Sequence, residues 1–130
     1  MSGISDLDEL LRSMSPKLME DVFVFCTVTG TLEEYVSLEP VATFMEAEGL
    51  TLVLSKEKAQ RAGLVYEGEF SQITLTVHSS LDAVGLTSAV SSKLALKGIS
   101  ANVIAAYYHD HVFVQVNRAQ DAMAALQEFA

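Results

Sequence analysis

Residues 76–116 read TVHSSLDAVGLTSAVSSKLALKGISANVIAAYYHDHVFVQV, and their periodicity decides the fold. Just upstream, Ile73, Leu75 and Val77 alternate with Thr74 and Thr76, as in a half-buried strand. Leu86, Ala89, Val90 and Leu94 then recur on one helical face, and Gly98 is placed to end that helix in a left-handed conformation. Two extended runs follow, at about 101–108 and 111–116, with His109-Asp110 as the turn between them, since Asp tolerates left-handed backbone. Asn117 is the expected cap of a last helix, with Ala119, Ala122, Met123, Leu126 and Phe129 as its apolar stripe. Strand, helix, strand, strand, helix is most of a ferredoxin-like unit, an antiparallel sheet covered by helices on one face. The closing strand does not follow the last helix. An earlier segment or a partner chain must therefore cover that edge, and a homodimer is expected.

The first half repeats the plan in degenerate form. Ser5 is the expected cap of a short helix with Leu7, Leu10, Leu11 and Met14 on one face, ended by Ser15-Pro16. Residues 21–28 are apolar on both faces and read as a central strand. Residues 29–40 show no period and read as a loop. VATFMEAEGLTLVL, 41–54, reads as a hairpin turning near Glu48-Gly49. Ser55 is placed to cap a short helix through Arg61, with Gly63 as its terminator, and 64–77 reads as extended with a kink at Gly68. The expected division is a helix at 1–16, a degenerate first unit at 17–69 and a better-formed second unit at 70–130. The fold class is α+β: ferredoxin-like βαββαβ units in two degenerate repeats.

Composition narrows the function. The net charge of -9, with only eight Lys and Arg, excludes nucleic acid and an anionic membrane surface as partners. Cys26, the one cysteine, lies in an apolar strand and reads as a small hydrophobe. The start MSGISDLDELL lacks the basic and apolar regions of a signal peptide, so a cytoplasmic location is expected.

The loop Asp82-Ala83-Val84-Gly85-Leu86 and the run Gly98-Ile99-Ser100-Ala101-Asn102-Val103 resemble the ACT domain, a small regulatory module of amino-acid-controlled enzymes. With EAEGLTLVL and YYHDHVFV, the whole chain resembles small stand-alone bacterial tandem ACT-domain proteins. The chain departs from the family in having Val84 where Pro is usual before the loop glycine. The first unit departs further, with a loop where its first helix would stand. The resemblance implies an effector, an amino acid, bound between this loop and a facing strand. Carried over residue by residue, the ligand-binding set is Asp82, Val84, Gly85, Leu86 and Thr87, with Asn102 and Val103 on the following strand.

The residues themselves support part of this set. Gly85 stands where a strand gives way to a helix, whose first-turn N–H groups and dipole favour a carboxylate. Asp82 or loop carbonyls would receive an ammonium. The other use for Gly85 is a tight connection.

His78, His109 and His111 are the remaining candidates, as ligand or interface contacts. Metal binding by this trio is disfavoured, because no second cluster of ligands accompanies it. Ser79 and Ser80 lack the glycine framing of a catalytic serine. The expectation is a regulatory or sensor protein without a catalytic domain, cofactor or metal, acting on a separate polypeptide. The alternatives are a structural interaction module without a ligand, and a metal-dependent enzyme using His78, His109 and His111.

Overall fold

The computed structural model describes residues 6–80 and 84–130. The chain forms two compact units, one of residues 21–70 and one of residues 1–20 with 71–130.

The unit of residues 21–70 is built on strands β1 (Pro16–Val28), which enters it at Asp21, β2 (Ala42–Glu46) and β3 (Gly49–Ser55). β3 pairs antiparallel with both others, from Phe23↔Ser55 to Val28↔Leu50 on one side and from Ala42↔Val53 to Glu46↔Gly49 on the other. Every second residue from Val24 to Val28 and from Leu50 to Leu54 points into one core, which Ala59 joins. The hairpin turn is Ala47-Glu48, one residue before the expected position, because Gly49 already pairs with Glu46. A Cβ on Gly49 would lie 2.7 Å from Thr27 Oγ1, so the strand passes too close for a side chain.

Residues 29–40 are not the expected loop. They hold α2 (Leu32–Tyr35) and a 3-10 turn at Val36–Leu38. Glu34 reaches back to accept from the Thr31 N–H at 2.6 Å, the returning half of a capping box. Helix α3 (Lys56–Arg61) is as expected, with Ser55 Oγ accepting from the Lys58 N–H at 3.3 Å and Gly63 left-handed beyond its end.

In the other unit, α1 (Leu7–Arg12) is capped by Asp6, which accepts from the Glu9 N–H at 3.0 Å. The expected cap, Ser5, lies outside the described residues. β4 (Phe70–Leu75) enters this unit at Ser71, and α4 (Leu86–Leu96), β5 (Asn102–Ala105), β6 (Asp110–Gln115) and α5 (Ala119–Gln127) complete it. β6 lies between β4 and β5. The other neighbour of β4 is β1, whose residues 16–20 count with this unit. β1 thus takes the place beside β4 that the closing strand of the unit would fill. β1 begins at Pro16, five residues earlier than its β-branched run foretells; a strand's first residue loses no ladder bond to proline.

Leu10 and Met14 of the N-terminal segment join Ile73, Leu75, Leu86, Val90, Leu94, Val112, Val114 and Leu126 in one core. Gly98 is left-handed, and the Ile99 N–H closes back on Leu94 O at 2.9 Å. Two expectations fail here. Asn117 caps nothing and sits in a 3-10 turn, Val116–Arg118. β4 is buried on both faces rather than one, since Gln72 and Thr74 are buried as well as Ile73 and Leu75.

Candidate functional site

The expected ligand set is spread over the connection from β4 to α4, the first turn of α4 and the start of β5. Asp82 lies outside the described residues. Val84 is 84% exposed. Gly85 has φ +97° at the start of α4, and no side chain among the described residues caps the helix. That backbone is left-handed, open to glycine and strained for other residues. A Cβ at Gly85 would also lie 3.1 Å from Leu7 Cδ2 of α1, so the glycine serves packing as well as the turn. Thr87 is exposed on the first turn, whereas the Leu86 side chain is buried in the core. Leu86 therefore offers a ligand only its backbone N–H. On β5, Asn102 donates to Phe113 O at 3.3 Å, and Val103 packs against the core. The structure thus leaves Val84 and Thr87 exposed at the helix start, sets Gly85 against Leu7 and turns Leu86 and Val103 inward.

The hairpin between β5 and β6 differs from its expected form. Asp110 belongs to β6 and pairs with Ala105; the tip is Tyr107-Tyr108, spanned by Ala106 N–H donating to His109 O at 3.0 Å. Asp110 is buried, and Ser79 Oγ donates to it at 3.5 Å. That tertiary contact outweighs the turn preference of Asp. Burial pushes the Asp110 carboxyl up, opposed by the Ser79 hydrogen bond and by His111 and His109.

The tip gathers aromatic rings. Tyr107 and Tyr108 are 62% and 61% exposed. Their rings stand edge to face at 4.9 Å, and the His78 ring lies 5.1 Å from Tyr108. His109 and His111 are 6.4 Å apart, ring to ring. His111 Nδ1 lies 3.0 Å from both Gln72 Nε2 and Thr74 Oγ1. Among the described residues no group of three or more His, Cys, Asp or Glu is placed to hold a metal ion.

A cleft that sequence reasoning missed lies in the unit of residues 21–70. It has a volume of about 320 Å³ and is lined by Gly30, Thr31 and Leu32 before and within α2, and by Met45, Glu46 and Leu50 of the hairpin. Its position in the unit corresponds to that of the Gly85 loop in the other. The signal was present as Thr31-Leu32-Glu33-Glu34, the spacing of a capping box directly after a strand. Here the loop is self-occupied: a Cβ on Gly30 would lie 2.1 Å from Glu34 Oε2, the oxygen that takes the Thr31 N–H.

Two ACT-domain family models match the sequence, one over residues 2–71 and the other over residues 67–128. The chain belongs to the ACT-domain family. Its two ACT domains have the ferredoxin-like architecture described above. A Vibrio cholerae protein of unknown function, described as a possible transport protein, is 65% identical over 99% of each chain, with a TM-score of 0.89. An Agrobacterium tumefaciens protein has a TM-score of 0.70 at 15% identity, over 88% of this chain and 87% of its own. The regulatory subunit of aspartate kinase from Thermus flavus has a TM-score of 0.66 at 8% identity, over 99% of each chain. The last two likenesses carry the fold alone. No curated protein matches the chain. No helix among the described residues is long and apolar enough to cross a membrane.

Proposed function

We propose that this tandem ACT-domain protein is a regulatory sensor that binds a free amino acid at the start of α4. The observation that carries the reading is Gly85: left-handed, glycine for a steric reason, and heading an eleven-residue helix that no described side chain caps. The N–H groups of Leu86 and Thr87 are the donors for a carboxylate there, and the helix dipole adds to the attraction. Asp82 is the proposed partner of the ammonium. The contrast with α2 supports this choice of unit, because there Glu34 already holds the loop N–H.

In this reading the protein works in the cytoplasm on a separate polypeptide, and ligand binding biases two arrangements by differential affinity. A homodimer is proposed through β2, whose Phe44 and Met45 are 70% and 82% exposed.

Thermal unfolding with each of the twenty amino acids at millimolar concentration tests the reading, since a ligand stabilises the state it binds. One amino acid, or a chemically related few, is expected to raise Tm. Thr87→Asp separates binding from folding: a carboxylate in the first turn favours the helix while repelling a ligand carboxylate. The variant is expected to unfold at or slightly above the wild-type unliganded Tm and to lose the shift. No shift with any amino acid, or an equal shift in the variant, overturns the proposal.

A further inference from the structure

We infer that His111 is a proton-sensitive latch between β4 and β6, holding the two strands together only while its imidazole is neutral. The contacts argue for one arrangement of protons. Gln72 Nε2 donates to Thr74 Oγ1 at 3.1 Å. The Thr74 hydroxyl, accepting there, has its own hydrogen free for His111 Nδ1 at 3.0 Å, and Gln72 Nε2, a donor only, also stands 3.0 Å from that nitrogen. Because the Gln72 amide nitrogen cannot accept, a lone pair on Nδ1 suits both contacts, and the ring proton is assigned to Nε2. A second proton, arriving at Nδ1, would face the Gln72 amide N–H. Gln72 and Thr74 are each 8% exposed, so the Gln72 amide has little water to turn to in place of this contact.

The surroundings give the added charge no counterweight from β4, which presents the uncharged Gln72 and Thr74. On β5 the residue opposite His111 is Ile104. The charged groups acting on the ring are on its own side of the hairpin, His109 opposing protonation and Asp110 favouring it. Burial is the largest effect and holds the imidazole below its ordinary range.

The sign follows directly. Well above about pH 6.5 the imidazole is neutral in folded and unfolded chains alike, and the latch contributes fully. As pH falls below that value the unfolded chain takes the proton first, so stability is lost until the folded pKa is passed. Across that window the folding constant falls by up to about tenfold per pH unit for this one group. The strands affected carry the Tyr107-Tyr108 tip and the His78 contact, so mild acid loosens this end of the unit. The inference does not depend on the ligand reading.

The test compares urea unfolding of the wild-type protein and His111→Asn from pH 8 to pH 5. The Asn Oδ1 can accept from Gln72 and Thr74 without titrating. Wild type is expected to lose several-fold more of its folding constant than the variant below about pH 6.5. Parallel pH slopes in the two proteins overturn the latch. Nitrogen-15 NMR of the wild-type imidazole keeps the test decisive if the variant fails to fold. The His111 Nδ1 is expected to be unprotonated at pH 7.5, with a pKa below about 6.5. A protonated Nδ1 at pH 7.5, or a pKa above that value, overturns it.

Discussion

At residue 110 a carboxylate is buried beside the Ser79 hydroxyl, and burial raises its pKa. A group whose pKa is raised on folding contributes most below its unfolded value, about 3.9, and loses that contribution as pH rises through the folded value. At neutral pH the ionised form is therefore a cost. Asp110→Asn keeps an acceptor for Ser79 and removes the charge. It is expected to raise Tm at pH 7.5, with the gain shrinking towards pH 4, as read by thermal unfolding at both pH values. Asp110 also shows where sequence reasoning fails at this scale. Its local preference for a turn is real, but it is buried in the strand, and its side-chain partner there, Ser79, stands 31 positions away. Gly85 and Gly98 were legible because a strand-to-helix junction and a helix end each need a backbone that glycine supplies. The inward turn of Leu86 was legible too, from its place in the apolar stripe of α4, even though the resemblance also placed it in the ligand set. His111's partners, Gln72 and Thr74, come from a strand that the alternation of residues 73–77 makes half-exposed. Their burial depends on packing that no local pattern records.

Among the elements, the end of α4 is held by a side chain outside the helix. Arg118 donates to Lys97 O at 2.9 Å and Gly98 O at 3.2 Å, and pairs with Asp121 at 3.2 Å. These are charge-assisted bonds to carbonyls that a helix C-terminus leaves free. Arg118→Ala is expected to destabilise the protein by about 1–3 kcal/mol, the scale of a hydrogen bond to a charged group, as measured by urea unfolding. Arg118→Lys is expected to recover part of the loss, since one ammonium cannot reproduce the fork. The long, periodic elements α4, α5, β3 and β6 were legible from apolar spacing. α2 was not, because four residues followed by a 3-10 turn carry no helical period. Its capping spacing at Thr31 and Glu34 was the available signal. The first five residues of β1 were also hidden: Lys17-Leu18-Met19-Glu20 lacks the β-branched residues that mark the strand further on.

For the whole molecule, a net charge of -9 favours solubility and small or cationic partners over phosphate backbones. The exposed apolar side chains of β2 run against that tendency. β2 pairs only with β3 in the described sheet, so it carries both a free edge and the exposed Phe44 and Met45. If they serve self-association, Phe44→Lys with Met45→Lys converts a dimer to a monomer without changing the circular dichroism spectrum. Sedimentation velocity checks this, and a wild-type monomer at tens of micromolar contradicts the proposed dimer. The two-unit plan was legible from the repeated order of elements. The origin of the second unit's closing strand was not. No local pattern records that β1, far earlier in the chain, is the strand that stands beside β4.

The central claim, a free amino acid held at the start of α4, is tested most directly by amide NMR during titration with the amino acid that most raises Tm. The account predicts that the amide signals of Gly85, Leu86 and Thr87 move first and saturate together, and that they stay still in Thr87→Asp. Shifts centred on Gly30 and Thr31, or on the Tyr107-Tyr108 tip, would contradict it, as would an absence of saturable shifts with all twenty amino acids.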